Sequence, residues 1–80
     1  MGSIRTPVTT TGLLRSENHE ATCTVRATKV ELAGSAGSVF EYADFSIENV
    51  SKNLPEGVYQ ITAFGKTQAV RYKNGFWIAP

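Results

Sequence analysis

Apolar and polar residues alternate with period two along most of this chain, the pattern of half-buried strands rather than of helices. The alternation is clearest over residues 68–80, where it is interrupted by Asn74-Gly75. A two-residue hairpin loop needs positive φ at both central positions, and Asn followed by Gly tolerates that best. Such a loop sets Lys73 opposite Phe76, Tyr72 opposite Trp77, Arg71 opposite Ile78 and Val70 opposite Ala79. Cross-strand partners share a face, and faces alternate along each strand. One hairpin face then carries Val70, Tyr72, Trp77 and Ala79 and reads as core. The other mixes the cations Arg71 and Lys73 with Phe76 and Ile78.

Upstream, residues 21–33 give the longest strand pattern, with Cys23, Val25 and Ala27 alternating with Thr22, Thr24, Arg26 and Thr28. The parity flips afterwards, because Val30 and Leu32 become the apolar positions. A one-residue bulge near Thr28-Lys29 accounts for the flip. Residues 34–38 form a Gly- and Ser-rich turn, and residues 39–48 continue as a strand. In that strand Val39, Ala43, Phe45 and Ile47 share one face, with Phe40 and Tyr42 on the other beside Asp44. From Ser46 the reading divides, since Ile47, Val50 and Leu54 also fit a short helical stripe ended by Pro55. The expected course is strand to Ile47 and at most one or two helical turns after it. Residues 58–64 form another strand, with Tyr59, Ile61 and Ala63 inward, and Gly65-Lys66-Thr67 turns into the final hairpin. Residues 1–12 are Thr-rich and broken by Pro7, so residues 1–20 are expected as a flexible or loosely docked arm with a short edge strand at Leu13-Leu14-Arg15. Residues 21–80 then make the domain: an all-β antiparallel meander or small barrel of 4–6 strands with at most one short helix.

Eighty residues make one small domain, with no room for a deep cleft between two layers. Net charge is +1, but the charges are segregated. Residues 1–30 hold four cations against two acids, and residues 31–56 hold Lys52 against five acids. Residues 57–80 hold Lys66, Arg71 and Lys73 with no acid. Segregation of this kind makes either a basic patch or charge pairs between neighbouring strands. Cys23 is the only cysteine, so no internal disulfide forms, and a small unstapled domain fits a reducing, cytoplasmic setting. No apolar run approaches the roughly 20 residues of a membrane span.

Catalytic constellations are weak. His19 is the only histidine, and a Cys23–His19 pair lacks an orienting third group. One His and one Cys offer no paired zinc spacing, and no metal or other cofactor is expected. Gly65-Lys66-Thr67 matches the end of a phosphate-binding loop, but Gln60 stands where its first glycine belongs and a strand follows. What remains is a cationic and aromatic surface: Arg71, Lys73, Phe76 and Ile78 on the hairpin, with Lys66, Phe40 and Tyr42 beside it. Cations that track phosphates and rings that stack on bases bind single-stranded nucleic acid. The expected function is therefore a non-enzymatic, oligomeric binding module for single-stranded nucleic acid. The alternative is a protein–protein interaction module, an inhibitor or assembly component, with the same rings buried against a partner.

Overall fold

A computed structural model describes residues 4–31 and 40–79 of the chain, and the Gly- and Ser-rich turn expected at 34–38 lies outside the described residues. Six strands follow in order: β1 (Ile4–Arg15), β2 (Glu20–Glu31), β3 (Phe40–Glu48), β4 (Gly57–Ala63), β5 (Lys66–Lys73) and β6 (Phe76–Ile78). They form one antiparallel sheet in the order β3-β2-β1-β4-β5-β6, curled into a nearly closed barrel. This is the all-β architecture expected from the alternation. No helix occurs among the described residues, so none is long and apolar enough to cross a membrane.

The C-terminal hairpin has the register its loop chemistry demands. Arg71 pairs with Ile78, Tyr72 with Trp77 and Lys73 with Phe76. Asn74 and Gly75 adopt φ of 54° and 82°, as a two-residue turn of this hand requires. The Asn74 N–H donates to Glu56 Oε2 at 2.6 Å, which ties the turn to the start of β4. Gly75→Val is expected to destabilise the fold by about 1–2 kcal/mol, because a β-branched residue resists positive φ. Thermal unfolding reads this directly, and an unchanged melting temperature would rule out the turn.

Other elements depart from the sequence reading for identifiable reasons. The 1–20 stretch is not a loose arm over its described length: β1 pairs with β2 continuously from Ile4↔Glu31 to Arg15↔Glu20. Thr residues occupy both faces of β1, which hides its alternation. Pro7 is tolerated because β4 flanks β1 only at Leu13, Leu14 and Arg15, so Pro7 lies where β1 has a neighbour on one side alone. The bulge sits one rung away and on the other strand. Arg26 pairs with Ser46 and Thr28 with Ala43, so Ala27 faces two residues, Asp44 and Phe45. Asp44 takes φ of 55°, a conformation Asp adopts more readily than most residues. Val30 is buried on the face opposite Val25, between its ladder partners Arg5 and Glu41.

The stripe Ile47, Val50, Leu54 does face the core, but as a strand end and a loop. β3 continues to Glu48, and Asn49 turns the chain with φ of 52°. Ser51 then clips the loop to β2: its N–H donates to the Thr22 carbonyl at 2.8 Å, and its Oγ accepts from the Thr22 N–H at 3.0 Å. The loop crosses one barrel end and is fixed at its far side by the Tyr59 hydroxyl, which donates to the Pro55 carbonyl at 2.6 Å. The turn between β4 and β5 is Phe64-Gly65, with φ of 53° and 74°, one residue earlier than expected.

The core is Leu14, Cys23, Val25, Tyr59 and Ile61, with Trp77, Tyr72 and Val70 packed against it. Glycine at position 12 lets β1 approach them, since a Cβ there would lie 2.6 Å from Val25 Cγ2 and 3.0 Å from Ile61 Cδ1. The molecule measures 45 × 20 × 20 Å. Twelve-residue strands in β1 and β2 explain the long axis, at about 3.4 Å per residue.

Candidate functional site

Register and alternation build the outer face of the β4-β5-β6 ladder. Tyr59 and Ile61 point into the core, so Val58 and Gln60 point out. Val58 pairs with Arg71, and Arg71 pairs with Ile78, giving one row across three strands. Lys73 and Phe76 form the next row, beside the turn. The apolar members of this face stand in solvent: Phe76 is 70% exposed, Val58 52% and Ile78 46%. Three large apolar side chains around two cations is an unusual grouping for a solvated strand face. Val58 was not singled out in the sequence, although the inward assignment of Tyr59 and Ile61 already placed it outside.

The expected surface divides into two groups. Lys66 and Lys73 stand at opposite ends of β5, about 24 Å apart at the usual strand rise. Tyr42 belongs to the Lys66 end and not to the outer face, because the bulge at Asp44 turns it inward. Its ring stacks on Phe64 at 4.5 Å between centroids, and Lys66 Nζ lies 5.9 Å from its centroid. Phe45 tilts against both rings, at 6.5 Å from Tyr42 and 6.4 Å from Phe64. Phe40 opens β3, and its side chain lies outside the described residues. Arg71, Lys73, Phe76 and Ile78 are thus brought together, while Lys66 and Tyr42 are not brought to them.

Charge segregation resolves both ways. Arg26 pairs with Glu48 across β2 and β3 at 3.9 Å, Arg15 with Glu20 at 3.3 Å, and Lys29 with Glu31 at 3.5 Å. The exposed pairs of Arg15 and Arg26 contribute little stability. Arg71, Lys73 and Lys66 join no ion pair among the described residues. Glu56, held at the turn by the Asn74 N–H, is the acid nearest the hairpin face in the sequence. Arg71 and Lys73 therefore remain available to a partner, while Lys66 lies over the Tyr42 ring.

The residues considered for catalysis sit in unpromising surroundings. Cys23 is buried on the inner face of β2, and desolvation pushes its thiol pKa up, against a smaller downward pull from the Gly12 backbone. A nucleophilic cysteine needs the opposite shift. His19 lies exposed in the β1–β2 turn, where its carbonyl accepts from the Ser16 N–H at 2.8 Å. Lys66 and Thr67 begin β5 directly after a hairpin turn, so no helix N-terminus follows to hold a phosphate. No cluster of three His, Cys, Asp or Glu side chains placed to hold a metal occurs among the described residues. No protein-family model, curated protein or solved structure matches this chain.

Proposed function

We propose that the chain is a non-enzymatic interaction module that docks a protein partner through the outer face of its C-terminal hairpin. The observation that carries this reading is the row Val58–Arg71–Ile78 with Lys73 and Phe76 beside it. Aromatic and Arg side chains dominate binding energy when a partner desolvates them, and flanking aliphatics exclude water. The unpaired cations favour an acidic rim on the partner. An inhibitor or an assembly component would present such a face.

Binding of single-stranded nucleic acid is supported less well. Stacking platforms offer successive rings along a cationic track. Among the described residues Phe76 is the one ring on this face, and Tyr42 is engaged with Phe64 at the other end of β5.

A photo-crosslinking amino acid placed at position 76 tests the reading in cells. One discrete protein adduct is expected, and Arg71→Glu should abolish it while leaving the melting temperature unchanged. The competing outcome is binding to a single-stranded oligonucleotide at low salt, read by fluorescence anisotropy. Three phosphate contacts predict a slope of log affinity against log salt near −2, reduced by Arg71→Ala. That result would replace the protein partner with nucleic acid.

A further inference from the structure

The barrel is open along one seam, between the edges of β3 and β5. Among the described residues β3 is an edge strand, paired with β2 alone. β5 has β4 along one side, but among the described residues β6 covers its other side only at Arg71, Tyr72 and Lys73. Residues 66–70 of β5 thus present unpaired backbone groups toward the seam, as β3 does from across it. Phe45 and Ile47 from β3, Gln68 and Val70 from β5, and Trp77 from β6 line a cavity of about 230 Å³ between them.

Inward-pointing residues lack cover here. Gln68 pairs with Ile61 and Val70 with Tyr59, both core residues, so Gln68 and Val70 project to the interior side. Gln68 is nevertheless exposed, Val70 is half-buried, and Phe45 is 42% exposed. One more strand would cover all three.

Direction and terminus follow from the topology. Successive antiparallel pairings from β3 through β2, β1 and β4 make β3 and β5 parallel to each other. A single incoming strand can be antiparallel to both, the more stable arrangement, and it then runs in line with β6 from Ala79 toward Lys66. Its C-terminal end arrives at Lys66, whose ammonium joins no carboxylate among the described residues. Just there, Tyr42 of β3 and Phe64 of the β4–β5 turn stack across the seam and close it. A strand entering from the Trp77 side must stop at that point.

We propose that the seam binds the extended, apolar C-terminal tail of a partner protein as an added strand, with the tail's terminal carboxylate against Lys66. Backbone pairing to two edges supplies affinity, and the cavity selects alternate apolar side chains. The charge of Lys66 complements the carboxylate. This site meets the outer hairpin face at Ile78, which lines the cavity too, but its lining includes none of Val58, Arg71, Lys73 and Phe76, so variants at those four residues tell the two sites apart.

The test uses an acetylated hexapeptide alternating threonine and valine, with a free C-terminal carboxylate, and its C-terminal amide. Trp77, the only tryptophan, lines the seam and reports occupancy by its emission. Saturable binding is expected for the acid, with the amide about two- to fivefold weaker, as one solvent-exposed charge pair implies. Lys66→Gln should bring the acid to the level of the amide at unchanged melting temperature, and Val70→Glu should abolish binding of both in protein that still unfolds cooperatively, at a lower temperature because Val70 packs against the core. Methylating alternate backbone nitrogens of the peptide should also abolish binding, because it removes edge hydrogen bonds and no side chain. Equal affinity for acid and amide, or no saturable signal up to millimolar peptide, overturns the proposal. So does a concentration-dependent dimer that Val70→Glu dissociates, since a second copy would then fill the seam.

Discussion

Trp77→Ala is expected to cost about 3 kcal/mol, and Phe76→Ala a few tenths, although the two residues are adjacent in β6. The ring of Trp77 stacks on Tyr72 at 4.4 Å and meets Tyr59 edge-on at 5.4 Å. It is half-buried, which places the cost at the lower end of what large aromatic truncations show. Phe76 is 70% exposed and shares in none of these ring contacts. For a domain of 80 residues, each kcal/mol moves the melting temperature by about 4–8 °C. Thermal unfolding should thus fall by roughly 12–24 °C for the first variant and barely move for the second. Reversed costs would mean that the hairpin presents Trp77 to solvent, and the proposed docking face would move with it.

That contrast was legible in the sequence because it depends on local chemistry alone. Asn74-Gly75 sets the loop length, loop length sets register, and register sorts Phe76 from Trp77. Val58 followed from the same logic once Tyr59 and Ile61 were read as inward. Features set by tertiary contact were hidden. Phe64 is a poor choice for positive φ on propensity grounds, so nothing local marks it as a turn residue. The stack on Tyr42 at 4.5 Å holds Phe64 there, and it joins residues twenty-two positions apart. Strict alternation through Asp44 puts Tyr42 on the wrong face, because the bulge there resets the parity. A signal for that bulge did exist, since Asp is among the residues that tolerate left-handed backbone.

The seam was invisible for a further reason. Alternation tells which side of a strand is buried, but not whether the sheet closes on itself. Lys66 and Gln68 on the inward parity of β5 are the trace the opening leaves. Polar residues on an inner face invite the inference that the face is outer, so the same two residues point in opposite directions until the pairing partners are known.

Gly12→Val is expected to destabilise by at least about 2 kcal/mol, where propensity alone predicts a gain of up to roughly 1 kcal/mol. Gly12 lies within β1, with no positive φ to defend, and valine is among the best strand formers. Packing decides the sign. A Cβ at position 12 would lie 2.6 Å from Val25 Cγ2, 3.0 Å from Ile61 Cδ1 and 3.1 Å from Cys23 Sγ. All three neighbours are buried core side chains. Either they leave their rotamers or β1 backs away from the sheet it closes through Leu13, Leu14 and Arg15. Gly12→Ala is the milder probe, expected at about 1–3 kcal/mol. Combining it with Val25→Ala separates the causes, since the shortened residue vacates the space the new methyl needs. The double variant should be more stable than the sum of its single costs by about 1 kcal/mol or more, measured by denaturant unfolding. Additive costs would mean that Gly12 is required for its backbone and not for the contact with Val25.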